Sequence, residues 1–213
     1  MIYRKLLSVL LVSLVASYTY AQDNSEQMQT LFGDNPVVYG GYGGPRVAYT
    51  QFNGQDAWLV GGRGGAIFNH SFVIGGAGYG IVNSPMFSNI SYNSVDYPKA
   101  YLEGGYGGLY LEYILMPNKL VHLSFPVLVG AGGLLYSETS AATAGANYEQ
   151  NIIANTAFFV VEPGVEVELN IVRFMRLSAG ISYRYAHNLD LPETPTNAFN
   201  SLSGSISLKF GKF

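Results

Sequence analysis

Between Phe158 and Tyr185 the chain alternates strictly between apolar residues and residues that are mostly small, polar or charged. Phe159, Val161, Pro163, Val165, Val167 and Leu169 form one set, continued after a short break by Met175, Leu177, Ala179, Ile181, Tyr183 and Tyr185. Val160, Glu162, Gly164, Glu166, Glu168 and Asn170, then Arg176, Ser178, Gly180, Ser182 and Arg184, form the other. A period of two on both sides of a tight turn, around Ile171 to Arg173, predicts an antiparallel hairpin with one apolar and one polar face. The pattern recurs where Val121, Leu123, Phe125, Val127 and Val129 alternate with His122, Ser124 and Pro126. It recurs again where Leu202, Ile206, Leu208 and Phe210 stand against Ser203, Ser205, Ser207 and Lys209.

Extended along the chain, the alternation predicts eight strands. They are Val37 to Thr50, Ala57 to Asn69, Ser71 to Val82, Lys99 to Met116, Leu120 to Tyr136, the two arms of the hairpin, and Leu202 to Phe213. The second, fourth and sixth connections are tight, at His70, Pro117-Asn118-Lys119 and Ile171 to Arg173. The third, fifth and seventh are long and polar: Asn83 to Pro98, Ser137 to Thr156 and His187 to Ser201. The first connection is brief and carries an Asn53-Gly54 hairpin signal. An even strand number with short turns on one side and long loops on the other predicts an all-β, eight-stranded, antiparallel up-and-down transmembrane β-barrel.

Which face meets lipid follows from the polar rows. They are rich in Ser and Gly with a few charges of both signs, which suits a crowded lumen better than a solvated surface. A soluble barrel would instead turn the apolar rows inward. The arms also exceed the roughly 9–11 residues that a tilted strand needs to cross a bilayer. Phe158, Phe159, Tyr183, Tyr185, Tyr113, Tyr136, Trp58 and Phe210 sit near strand ends as candidate interfacial girdle residues. Glycine runs such as Gly104-Gly105-Tyr106-Gly107-Gly108 superficially resemble a dinucleotide fingerprint, but no helical period follows them. Mid-strand glycines giving tight curvature account for them.

Composition agrees. Charged residues make up 12% of the 213-residue chain, with 26 Gly and 17 Tyr, about half the charge of an ordinary soluble protein. At the amino terminus Arg4 and Lys5 precede an apolar run, Leu6 to Ala16, and Thr19-Tyr20-Ala21 offers a small-residue cleavage site. Residues 1–21 therefore read as a signal peptide cut after Ala21, 22–36 as a short periplasmic lead, and 37–213 as the barrel. Removing Arg4 and Lys5 takes the formal net charge from -3 to about -5. An acidic chain with so few cations carries no footprint for nucleic acid. The chain has no cysteine, which excludes lipidation at Cys, disulfides and thiol chemistry.

The inward rows define the candidate chemistry. Arg46, Arg63, Glu112, Glu162, Glu166, Glu168, Arg176 and Arg184 form a lumenal charge network, with Tyr110 and His122 beside it. A three-residue turn at 171–173 would set Glu168 opposite Arg176 and Glu162 diagonal to Arg184, within cross-strand reach. Charges in so narrow an interior must pair, and eight strands leave a lumen that side chains can fill. The expectation is a plugged barrel, with a structural or surface-interaction role through its outer loops. The alternative is a narrow conduit or small-ligand binder at the mouth near Arg184 and Glu162. Three scattered histidines give no metal-ligand spacing, and no cofactor is expected. Glu166 and Glu168 have no saccharide cleft around them.

The signal segment, the loop alternation, the dyad repeat and the aromatic ending GSISLKFGKF together resemble the small eight-stranded outer-membrane β-barrel proteins of Gram-negative bacteria. The resemblance covers Val37 to Phe213. It implies residence in the bacterial outer membrane as a monomer, with membrane lipid and the barrel assembly machinery as partners and an outer-loop ligand that no motif identifies. It also implies that a terminal aromatic serves as assembly signal, here Phe213 or Phe210. Phe213 shares the parity of Lys209, whereas Phe210 belongs to the lipid-facing row, so either a bulge near Gly211 shifts the register or Phe210 takes the role. Some barrels of this kind are lipid A-modifying enzymes, and His122-Leu123-Ser124 has the His-x-Ser spacing of the deacylases. The inward parity of His122 and Ser124, close to the inner turn, argues against that chemistry. His187, Ser182 and Asp190 lie at the outer end without a recognisable spacing. The chain is therefore expected to be non-enzymatic.

Overall fold

The alternation becomes nine antiparallel strands in the computed structural model, which describes residues 37–142 and 151–213. They are β1 (Tyr39–Phe52), β2 (Gln55–Phe68), β3 (Phe72–Ile81), β4 (Met86–Tyr92), β5 (Val95–Leu115), β6 (Val121–Ser137), β7 (Ile152–Val172), β8 (Met175–His187) and β9 (Ser201–Lys212). The order is β3-β2-β1-β9-β8-β7-β6-β5-β4, with a further pairing of β3 to β5. That pairing runs from Phe72 opposite Tyr113 to Gly80 opposite Gly105 and closes the ladder on itself. The fold is all-β. The segment 1–21 with Ala21, the lead 22–36 and residues 143–150 lie outside the described residues.

The ninth strand, β4, is added to the eight expected and stands outside the closed ladder, paired to β5 alone. Residues 83–98 do not form an open loop. β4 pairs with the first part of β5, Tyr92 opposite Val95, across a two-residue turn. Asn93 and Ser94 both take positive φ, 51° and 64°, the geometry that two-residue hairpin turns require. The polar composition of this stretch masked a hairpin whose Ile90 and Phe87 pack into the apolar core. The predicted Asn53-Gly54 turn has the same left-handed pair, 45° and 79°.

Burial follows the dyad with its usual sense reversed. Val47, Val60, Ile74, Leu109, Val129, Val165, Val167, Ile181 and Ile206 are exposed on the outside, while Arg46, Arg63, Glu112, Glu166 and Arg184 are buried inside. Of the girdle candidates, Trp58, Tyr113, Phe159, Tyr183, Tyr185 and Phe210 face out. Phe158 and Tyr136 do not: both are buried, because they occupy inward positions of β7 and β6. Tyr39, Tyr49, Phe72 and Phe174 extend the outer aromatic set.

Two details of register matter for the interior. The β7–β8 turn is Arg173-Phe174, with an irregularity between Asn170 and Val172. Arg176 therefore faces Asn170, and Glu168 faces Ser178, two residues off the expected pairing. The ladder also lapses beside Pro45, Pro126 and Pro163, where a backbone donor is missing. Tight curvature has a steric origin at Gly108, which faces Gly130 across β5 and β6. A Cβ there would lie 2.5 Å from the Gly130 Cα.

An apolar cluster fills the end of the closed sheet that carries the long connections. Phe52, Leu102, Leu134, Tyr136 and Phe158 from the strands meet Leu189, Leu191 and Phe199 from residues 188–200. That connection was expected as an exposed polar loop. Its three large apolar side chains instead fold inward over the mouth, because no other surface of the loop can bury them.

Candidate functional site

Below the apolar cluster the inward rows are polar, and their charged side chains pair at successive heights. Nearest the tight turns, the Lys209 ammonium donates to Glu112 Oε1 at 2.5 Å and to Glu168 Oε1. Tyr42 donates to the other oxygen of Glu112 at 2.7 Å, and its ring lies 4.7 Å from the ammonium. The second oxygen of Glu168 meets His122 Nε2 at 3.0 Å and lies 3.5 Å from Arg176 Nη1. His122 Nδ1 lies 3.1 Å from the Lys119 carbonyl, so both ring nitrogens face acceptors.

One level further in, Arg63 grips Glu166 with both terminal nitrogens, at 2.7 and 2.6 Å. This bidentate fork is the strongest form of the pair. Arg63 also donates to Tyr110, Ser178 and Ser207. Above it, both terminal nitrogens of Arg46 reach Glu162 Oε1 at 3.2 Å, and Ser182 donates to the same oxygen at 2.7 Å. Tyr106 donates to Glu162 Oε2. At the top Arg184 donates to Tyr106, to Thr50 and to the Phe199 carbonyl, with the Phe199 ring 3.8 Å over its guanidinium.

These bonds cross the interior. In the closed order, β2 and β7 are four strands apart, so Arg63 and Glu166 come from opposite walls. Lys209 of β9 and Glu112 of β5 likewise span the full width. Among the described residues the buried cations are Arg46, Arg63, Arg176, Arg184 and Lys209. The buried carboxylates are Glu103, Glu112, Glu162, Glu166 and Glu168, so the interior is close to neutral before His122 is considered. An isolated charge there would cost several kcal/mol, which explains why Arg46, Arg63, Arg176 and Lys209 sit against carboxylates and Arg184 against hydroxyl and carbonyl oxygens. The space left among Arg46, Arg63, Tyr79, Tyr110, Glu162 and Glu166 is about 10 Å³, at most room for a single water. The interior is a plugged, charged core.

All eight sequence-derived charges thus lie inside, but their partners differ from those expected. Within the hairpin only Glu168 and Arg176 keep an ion pair, and at 3.5 Å it is a diagonal one. Glu162 binds Arg46, not Arg184. Lys209, Tyr42, Tyr106 and Phe199 belong to the arrangement and were not singled out as site residues, although the inward parity of Lys209 was visible. Glu112, Glu166 and Glu168 bring carboxylate oxygens within 4.8 Å of one another, a spacing suited to a cation. Lys209 and Arg63 already supply that charge.

The remaining candidates disperse. His122 is tied to Glu168 at the inner end, and Ser124 is fully buried. Ser182 bonds Glu162 inside the sheet, while His187 and Asp190 are exposed. No nucleophile–base arrangement results from these groups, and the interior is structural in character. The β1–β9 register keeps one offset on both sides of the lapse at Pro45, from Tyr49 opposite Gly204 to Gly41 opposite Lys212, so no bulge intervenes near Gly211. Phe210 faces out and is 42% exposed. Phe213 stacks on Tyr42 with ring centroids 5.9 Å apart, at the inner mouth.

No protein-family model matches the chain, and no curated protein does. Among solved structures, the chain is similar to Neisserial surface protein A, with 11% identity and a TM-score of 0.53 over 84% of this chain and all of that one. The N-terminal β-barrel domain of Pseudomonas aeruginosa OprF shares 10% identity at a TM-score of 0.46, over 80% of this chain and 96% of the domain. Ail, the attachment invasion locus protein of Yersinia pestis, shares 12% identity at 0.40, over 81% and 95%. The first likeness, at so low an identity, is one of fold. This chain has an all-β, strand-dominated fold that resembles that of small outer-membrane barrels.

Proposed function

We infer that the chain is an eight-stranded barrel of the bacterial outer membrane, in which β4 is an extracellular extension of the hairpin it forms with β5. Its interior is sealed, and its work is structural or interactive, through the surface built from β4, β5 and the connections after β6 and β8. The observation that carries this reading is the set of buried ion pairs spanning the interior, with only about 10 Å³ left open among them. The apolar outer face supports the membrane setting: a surface bearing Val47, Leu109, Val165 and Ile206 is costly in water and favourable in lipid. The likeness in fold to Neisserial surface protein A, a surface protein by its name, is in keeping with an exposed role. The proposed monomer binds membrane lipid and meets the assembly machinery through its last strand, with outward-facing Phe210 the better-placed signal residue. The ligand of the outer surface is not specified by any motif.

The conduit reading loses its mouth, since Arg184 lies under Phe199 and Glu162 lies below both. Planar-bilayer recording tests the proposal directly. The sealed interior gives no discrete single-channel steps; stable steps from the purified folded protein would overturn it. Gel mobility before and after boiling checks that the sample is folded.

A further inference from the structure

The inner mouth holds a feature that the plug does not use. A cavity of about 600 Å³ opens there between the tight turns and the end of β9. Arg173, Arg176 and Lys212 line it together with Phe174 and Phe213, and among the described residues no Asp or Glu side chain does. Arg176 is offset in part by Glu168, 3.5 Å from its Nη1, and an anion seated between the three cations would lower their remaining repulsion.

Arg176 is the informative member. It is 4% exposed, yet among the described residues its Nε and Nη1 have no hydrogen-bond partner. Its Nη2 makes a single long bond, 3.4 Å, to the Pro117 carbonyl. Glu168 lies 3.5 Å from Nη1 but is already occupied by Lys209 and His122. The other four interior cations have carboxylate or hydroxyl partners at 3.2 Å or less, and although the Nε atoms of Arg46 and Arg63 are also unpartnered, only Arg176 has a terminal nitrogen without a hydrogen bond among the described residues. A buried guanidinium carries five donors in a planar fork that matches phosphate oxygens. The Phe213 ring, 4.0 Å from the guanidinium carbon, holds that fork flat at the cavity wall.

The rim around the cavity is apolar and turned outward. Phe174 is 61% exposed, and Val172, Ile171, Met116 and Leu120 are exposed beside it. Exposed Arg173, Lys119 and Lys212 are interspersed among them. Apolar side chains with cations at the same height mark the level at which acyl chains give way to headgroups.

We propose that this cavity binds the phosphate group of a phospholipid in the periplasmic leaflet. Arg176 meets the phosphate at the back of the cavity, Arg173 and Lys212 flank it, and the acyl chains run down the outer face past Phe174 and Val172. The inference rests on the membrane reading above. It supplies hydrogen-bond acceptors to the Arg176 Nε and Nη1 donors, beyond the 3.5 Å ion pair with Glu168, and anchors the barrel at its inner edge.

Native mass spectrometry of the full chain in detergent micelles tests it. The probes are dihexanoyl phosphatidylglycerol, dihexanoylglycerol without phosphate, and inorganic phosphate. One phosphatidylglycerol is expected to remain bound, the phosphate-free lipid to be lost, and inorganic phosphate at the same concentration to leave the lipid adduct in place. Arg173→Gln combined with Lys212→Gln, both exposed positions, weakens the adduct by about thirtyfold. Arg176→Gln abolishes it, and boiling-sensitive gel mobility shows whether that variant still folds. Adducts indifferent to the double substitution, or equal retention of the phosphate-free lipid, would overturn the site. Displacement by inorganic phosphate would make it a free-phosphate site. If the lipid adduct fails while the protein stays folded and silent in bilayers, the site alone is wrong and the sealed-barrel reading stands.

Discussion

Replacing Arg63 by Met tests whether the interior is as dry as its geometry implies. Met keeps much of the length and none of the charge. The substitution removes five hydrogen bonds, two of them the fork on Glu166. Glu166 is 3% exposed and would keep no cation within bonding distance. Breaking one side of a buried pair costs about 3–5 kcal/mol, most of it the stranded charge. Neutralising that charge with Glu166→Gln in the same chain brings the variant back to within about 1–2 kcal/mol of the parent, since the pair as a whole barely repays its desolvation. In the Arg63→Met background Glu166→Gln therefore restores about 2–3 kcal/mol, whereas in the parent chain it strands the Arg63 guanidinium and destabilises. Urea titration of the protein refolded into phospholipid vesicles measures this. Trp58, the single tryptophan, lies on the outer face at 45% exposure and reports insertion. A cost below about 1 kcal/mol for Arg63→Met alone would mean that water reaches Glu166. Additivity of the two substitutions would refute the paired plug as well.

Three further outcomes follow from the same geometry. Phe199→Ala removes a fully buried ring that covers Arg184 and should cost about 3–5 kcal/mol in the same unfolding titration; bilayer recording should stay silent because the levels below remain shut. Gly108→Ala drives a Cβ into the Val129 carbonyl and the Gly130 Cα, whereas the nearest atom to a Cβ at Gly78 is 3.8 Å away. The first should destabilise by about 1–3 kcal/mol and the second by less than about 0.5 kcal/mol, read as the midpoint of urea unfolding. In the outer hairpin, Tyr49 and then Gln51 donate to Asp56 and hold its carboxyl below the usual range. A depressed carboxyl stabilises above its unfolded pKa and loses that contribution as pH falls through the folded value. Carboxyl NMR titration should therefore find the Asp56 midpoint low, and Tyr49→Phe should move it up toward an ordinary aspartate.

Alternation assigns a residue to a face but not to a partner, and the interior divides along that line. The inward positions of Glu162, Glu166, Glu168, Arg176 and Arg184 follow from parity alone, because side chains on a strand alternate whatever the strand pairs with. Their partners depend on how far each strand is shifted around the closed ladder. Arg63 and Glu166 are 103 residues apart and meet only because β2 and β7 end on opposite walls at one height. Within the hairpin the expected pairing failed over the turn itself: Arg173-Phe174 with an irregularity beside it shifts the facing residues by two. Lys209 carried the right parity, but its bonds to Glu112 and Glu168 reach across strands that local pairing never compares. β4 had a legible signal in Tyr92-Asn93-Ser94-Val95, a two-residue turn between residues suited to strands, set in a stretch whose composition reads as loop. Phe199 had none, for a lone aromatic in a polar connection becomes core only when the mouth beneath it has a gap of its size.

The charged interior also bears on why the strands hold their register. Replacing buried ion pairs by packed apolar residues is often neutral or stabilising, so the pairs are not explained by stability alone. With an apolar lumen, a strand slipped by one residue would exchange one greasy row for another, and lipid would not discriminate. With this lumen, a slip of β7 turns Glu162, Glu166 and Glu168 toward the acyl chains and Val161, Val165 and Val167 toward the opposing charges. A charge on the lipid face near the midplane costs on the order of 2–4 kcal/mol for a cation and somewhat less for a carboxylate. Three carboxylates then oppose the slip by several kcal/mol, a large share of the stability of an ordinary domain. The cations on the opposing strands are stranded at the same moment. The same residues that close the lumen therefore fix the pairing of the wall around it, which is why the dyad is cleanest in β7 and β8, where the interior charges are densest.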